Sequence, residues 1–274
     1  EVAVRAIAWI WTMPYLLALP GLSEAFIGRW LESIEAHFHH LCRNLSVFTD
    51  PTNHLIGEAA ALWMLCVCFP ALPGANKESK RALLILTREV ERQIAPDGVN
   101  CEQATSYHRF VLDFYLQILV LARRNGIALS PAVPKQIESM IEFVAAMAGS
   151  DGAAPMIGDS DDARGMPFLE LVGWDFKDTL STGAVLFKRE RWKRSAGDLA
   201  EVSVWLIGAE AIAQYKVIPS TEDHKHRSTF PAGGYYFSEN IDATGNAELI
   251  FDVGRLGLWP NAAHGHADAL SILI

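Results

Sequence analysis

Tyr107 and His108 stand side by side at the start of a helix-like run, just behind a polar loop that carries Glu102 and Gln103. A phenol and an imidazole at the mouth of a helix can move protons. A tyrosine in a first turn can equally be a packing residue with its hydroxyl bonded, and the residues alone leave both readings open. A second polar group opens the run PTNHLIGEAAAL. Asn53 there is a natural helix N-cap or a group that faces substrate, and His54 and Glu58, one turn apart, share a helix face. A third group lies near the end, where His264, His266 and Asp268 alternate in HGHADALS. In an extended segment all three project from one side, and imidazole with carboxylate is a zinc-binding chemistry. Three ligands from one short strand rarely meet one ion, so at least one of them has another task. The acidic run GDSDDARG, Gly158 to Gly165, lacks the ligand spacing of a calcium loop. It reads as a solvated or cleft-lining loop.

These groups need elements to hold them. Residues 4–45 read as two helices broken near Pro20-Gly21, the second opened by Ser23 as N-cap and amphipathic through Phe26, Trp30, Ile34, Phe38 and Leu41. His37, His39 and His40 on that helix diverge around the axis, so they read as solvated or capping groups. A helix from Asn53 follows, then a charged amphipathic helix over 78–95 and the turn dipeptide Asp97-Gly98. From Phe110 the spacing of Val111, Phe114, Ile118, Leu119 and Ala122 gives one apolar stripe that stops at Asn125-Gly126, with Thr105 or Ser106 as the N-cap. Helical patterns recur over 131–148, 181–192 and 198–215. After about residue 222 the period changes: FPAGGYYFSE, AELIFDVG and ALSILI are short aromatic and β-branched runs between glycines, the signature of antiparallel strands.

The chain of 274 residues carries a net charge of −9, which argues against a general nucleic-acid binder. It does not exclude an anionic substrate, since a few local arginines can outweigh the global sign. Cys42, Cys66, Cys68 and Cys101 form no CxxC pair; Cys66 and Cys68, inside an apolar run, read as buried hydrophobes. The apolar runs are interrupted and too short for a membrane span. A first residue of Glu and a last run of Ser-Ile-Leu-Ile read as boundaries cut from a longer chain. P-loop, GxGxxG and GxSxG motifs are lacking, which points away from nucleotide and serine-hydrolase chemistry.

PTNHLIGEAAAL, DGVNCEQATSYHRFVLDFY, GDSDDARG and HGHADALS, in this order, resemble the heparinase II/III-like polysaccharide lyases, including the oligo-alginate lyases. The resemblance implies an α+β multidomain chain: an α/α-toroid of helical hairpins over 1–222, then the start of an antiparallel β-sandwich domain over 223–274, apparently truncated. It implies β-elimination at a uronic acid in a glycosaminoglycan, alginate or bacterial exopolysaccharide. By the match, Asn53 and His54 hydrogen-bond the substrate carboxylate, Tyr107 falls on the proton-transferring tyrosine and His264 on the second acid/base group. Glu102, Gln103, His108 and Arg109 are expected to line the substrate. His266 matches a structural zinc ligand whose partners come from later strands, so that site is expected to be incomplete here, and catalysis itself needs no cofactor. The partner implied is an anionic polysaccharide, in a bacterial periplasm or cytoplasm, the periplasm being preferred.

Two other functions fit the same composition. An α/α-barrel glycoside hydrolase would use two carboxylates, with Asp97, Glu102, Asp159 and Asp161 on offer. A sugar-binding or polysaccharide-assembly protein would keep the scaffold without the chemistry. Elimination alone leaves an unsaturated uronate that absorbs in the near ultraviolet.

Overall fold

A computed structural model describes residues 1–48, 51–148, 152–159, 164–166, 175–220, 227–242, 245–258, 262, 264–265 and 271–273. Helices come first: α1 (Val2–Leu17), α2 (Glu24–Arg43), α3 (Asn53–Cys68), α4 (Ala75–Gln93), α5 (Thr105–Arg124) and α6 (Ala132–Met147). Ser23 caps α2 as its sequence predicts, its hydroxyl accepting from the Phe26 N–H at 3.2 Å. Trp30, Ile34, Phe38 and Leu41 of that helix are buried. Apolar residues run all round α3, so it lies inside, packed against α1, α2, α4 and α5. Gly57 lets α5 come close: a Cβ there would lie 3.0 Å from Cζ of Phe114. Successive hairpins thus wind into an incomplete α/α-toroid, with α3 and α5 at its centre.

Two expected helices resolve into four short ones: α7 (Lys177–Phe187), α8 (Glu190–Ala196), α9 (Glu201–Ile207) and α10 (Glu210–Val217). The breaks fall where the backbone turns left-handed, at Lys188 (φ 55°), Gly197 (φ 71°) and Gly208 (φ 106°). Cys68 is exposed rather than buried, and Cys66 is buried as expected.

The sheet follows with strands β1 (Thr229–Phe230), β2 (Tyr235–Asp242), β3 (Gly245–Asp252) and β4 (Ser271–Leu273), antiparallel in chain order. Hence the expected order of helices before strands holds, and the boundary expected at 222/223 lies outside the described residues. Phe230, Tyr235 and Phe237 bury against Phe143 of α6, with ring centroids 5.1, 5.1 and 6.0 Å away. At about 2 kcal/mol for each buried aromatic, that contact is apolar cement between helices and sheet. A polar grip adds direction. Asp97 accepts from the backbone N–H groups of Ala232 and Gly233 at 2.7 and 3.0 Å, and Gln103 Nε2 donates to the Gly233 carbonyl at 3.2 Å. The Asp97-Gly98 turn has a stricter demand than its sequence suggests: Gly98 has φ 99°, and a Cβ would meet the Ser139 carbonyl oxygen at 2.1 Å.

Candidate active site

Asn53 is the first residue of α3, not its cap; Thr52 occupies that position and makes no side-chain cap bond. The Asn53 side chain is instead buried against Glu102, with Nδ2 donating at 3.2 Å to Oε1 and 3.0 Å to Oε2 while the Asn53 backbone N–H donates to Oε1 at 2.8 Å. Such a grip fixes which way the amide faces, because its oxygen cannot turn toward a carboxylate. The chain before α3 is held as well: Gln93 Nε2 donates to the Thr52 carbonyl at 3.1 Å and Arg92 to that of Pro51, and both side chains are tied to the buried Glu89. His54 is exposed beside Asn53. Its expected partner Glu58 is used elsewhere, accepting from the N–H and hydroxyl of Ser46 at 2.6 and 2.8 Å.

On α5 the expected caps also do something else. Ala104 is the N-cap. The Thr105 hydroxyl donates to the Pro155 carbonyl and that of Ser106 to the Asp159 carbonyl, both at 2.8 Å, so the helix start is docked to the segment 155–159. Tyr107, half-buried, stacks on the imidazole of His264 with centroids 3.7 Å apart and planes at 20°. His264 has φ 69°, so the backbone turns at this residue instead of extending through it. The alternating array expected over 264–268 is therefore not built at its first member, and His266 and Asp268 lie outside the described residues. Among the described residues no group of three or more His, Cys, Asp or Glu could hold a metal ion.

Glu102 joins these groups. Burial pushes its carboxyl up, while the hydrogen bonds from Asn53 and the charges of His264 and His54 pull it down. The carboxylate that holds Asn53 thus feels the charges of both histidines, and the stack sets Tyr107 against one of them, His264.

Two matches decide the family of the chain: residues 1–170 fit the model for the heparinase II/III N-terminus, and residues 222–274 that for the heparinase II/III-like C-terminal region. The chain belongs to the heparinase II/III family. Among its relatives are a heparin-sulfate lyase of Pedobacter heparinus, 24% identical over 143 residues, and one of Bacteroides thetaiotaomicron, 29% identical over 152. The matches cover 52% and 50% of this chain and 21% of each relative, so the chain spans about a fifth of their length. A solved heparinase III superposes with TM-score 0.70 at 18% identity, over 99% of this chain and 40% of its own. A mutant heparan sulfate lyase of P. heparinus does so with TM-score 0.63 at 17% identity, over 99% and 38%.

Within this heparinase II/III chain, four residues expected at the substrate are placed in the protein interior. Glu102 is 0% exposed and spent on Asn53, and Gln103 (φ 55°) reaches the sheet turn at Gly233. Arg109 is buried with its guanidinium over the Phe176 ring at 4.4 Å and Nη1 donating to the Asp175 carbonyl. His108 is buried beside Phe143, its Nε2 3.1 Å from the Met140 carbonyl. For His108 and Arg109 this follows from their helix positions: α5 presents Tyr107 outward, so its neighbours point in, whereas Glu102 and Gln103 lie in the loop before α5.

Burial pushes His108 down to about 4, because the charged form has no water to solvate it. The unfolded chain therefore binds a proton below about pH 6.5 that the folded chain refuses down to about pH 4. Stability from this residue is complete above the unfolded value and is lost as the pH falls. Between pH 7 and pH 5 the loss is expected to be about 2 kcal/mol. Urea unfolding of wild type and His108→Gln at both pH values checks it: the wild type should lose that much more than the variant, and parallel losses would show that His108 does not resist protonation.

Proposed function

We propose that the full-length protein is a polysaccharide lyase that cleaves a uronic-acid-containing glycosaminoglycan, of the heparan class, by β-elimination. The observation that supports this reading is the stack of His264, from the sheet region, on Tyr107 of the helical region, with the Asn53 amide oriented by Glu102. Elimination must remove the weakly acidic proton beside the uronate carboxylate, stabilise the charge that develops there, and protonate the departing glycosidic oxygen. Asn53, with one amide N–H committed to Glu102, offers the other to the carboxylate, and His54 joins it; donors already oriented act as an oxyanion hole does. Tyr107 and His264 take and deliver the protons. A phenol, with its usual pKa near 10, does this when neighbouring donors stabilise the phenolate. The names of the relatives support the heparan class as the first substrate to try.

Of the four carboxylates open to a hydrolase, Asp159 faces His264 and Asp161 lies outside the described residues. Asp97 and Glu102 are buried and already accept from fixed N–H groups, which disfavours them as an acid/base pair. The deciding experiment incubates the full-length protein with heparan sulfate, chondroitin, hyaluronan and alginate and follows near-ultraviolet absorbance. A rise on a glycosaminoglycan is expected. New reducing ends without that absorbance would establish hydrolysis instead.

A further inference from the structure

The acidic run GDSDDARG has no part in the chemistry so far, yet its first residues sit against His264. Asp159 Oδ2 lies 3.1 Å from His264 Nδ1, and the Asp159 backbone N–H donates to the His264 carbonyl at 2.9 Å. Gly158 (φ 71°) makes this approach possible: a Cβ there would meet the carbonyl oxygens of Gln103 and His264, both at 2.6 Å. The loop is pinned on the other side too. The Ser106 hydroxyl of α5 donates to the Asp159 carbonyl at 2.8 Å, and Arg164 reaches back to Asp113. One loop of the helical region thus grips both the backbone and the ring of a histidine from the sheet region. That histidine has the left-handed backbone, φ 69°, which a non-glycine residue keeps only where its surroundings hold it.

We propose that Asp159 is the positioning residue of His264: it takes the Nδ1–H, fixes the ring against Tyr107, and leaves Nε2 as the nitrogen that exchanges protons at the reacting centre. A carboxylate accepts and cannot donate, so in the neutral ring the proton stays on Nδ1. The hydrogen bond at one nitrogen selects the tautomer presented by the other, as with orienting carboxylates elsewhere. The catalytic half of this proposal rests on the lyase reading; the hold on the ring does not.

The test uses full-length protein with 15N-labelled histidine, as wild type, Asp159→Asn and Asp159→Ala, with His264→Gln to assign the ring signals. In the neutral ring of the wild type, Nδ1 is expected to carry the proton. In Asp159→Asn the amide can donate to Nδ1 and the proton should move to Nε2, while Asp159→Ala should give a mixture. Ring signals that are alike in all three folded proteins would overturn the proposal, whatever the activity. Where the wild type turns over a uronate polymer, kcat should fall about 10- to 100-fold in Asp159→Asn with KM little changed. A changed tautomer with kcat intact would remove Asp159 from catalysis. Wild-type protein inactive on every polymer would sink the lyase reading, and the ring signals would still decide who holds His264.

Discussion

Full-length protein carrying Tyr107→Phe is expected to lose on the order of 10²- to 10⁴-fold in kcat while folding as the wild type does. General acid/base groups contribute on that scale, equivalent to about 3–5 kcal/mol of barrier. The substitution is selective for a geometric reason. The phenyl ring can keep the stack on His264 at 3.7 Å, so the ring contact survives the loss of the hydroxyl. KM should therefore change little, because substrate contacts assigned to Asn53 and His54 survive. Steady-state kinetics by unsaturated-uronate absorbance, beside a thermal melt, measure both quantities. A phenylalanine variant with near wild-type kcat would return Tyr107 to the role of packing residue.

The largest effect on stability is expected at Arg164. Its Nε donates to Asp113 Oδ2 at 2.6 Å and its Nη2 to Oδ1 at 3.2 Å, and Nη2 also lies 2.9 Å from Asp178 Oδ2. Asp113 on α5 is 0% exposed, and the Gly165 N–H, at 3.1 Å, completes its shell. Burial pushes the Asp113 carboxyl up and the guanidinium pulls it back, which is what keeps a charge affordable inside α5. Arg164→Met strands that charge. The expected cost is about 3–5 kcal/mol of unfolding free energy, the range for breaking a buried pair from one side. Asp113→Asn added to Arg164→Met should recover more than half of it, since no carboxylate is then left to desolvate. Chemical denaturation of the four proteins gives the cycle; strictly additive losses would mean that the two side chains do not act as a pair.

How much of this could be read beforehand depended on how locally each feature was encoded. Helix α2 was legible except at Phe26, which lies exposed, because its cap at Ser23 and its stripe from Trp30 to Leu41 are short-range signals. The change from helices to strands was legible for the same reason. Side-chain partners were not. Asn53 looked like a cap because caps are chosen within three residues, but its partner Glu102 is 49 residues away. Thr105 and Ser106 were read as caps on the same logic, and the segment 155–159 outbid the helix for their hydroxyls. Glu102, Gln103, His108 and Arg109 are neighbours of Tyr107 in sequence only: on α5 adjacency sends His108 and Arg109 in other directions, and Glu102 and Gln103 lie in the loop before it, facing Asn53 and Gly233. Alternation at His264 suggested an extended strand; a left-handed residue is invisible to periodicity when it is not glycine. Asp159 carried a signal, a Gly-Asp at the head of an acidic loop, but nothing local names a histidine 105 residues on as its partner.

The grip of Asp97 and Gln103 on the turn at Ala232 and Gly233 spans 136 and 130 residues of chain. On the ribosome, synthesis runs from the N-terminus at about 5–20 residues per second, so α3, α5 and α6 can pack well before that turn exists. Until it arrives, Asp97 lacks those two donors and Phe143 lacks the aromatic cover of Phe230, Tyr235 and Phe237. His264 comes later still. The reacting groups are thus divided in time as well as in space: the helical half can mature carrying Asn53 and Tyr107 in place, and the site closes only as the last segment of this chain docks.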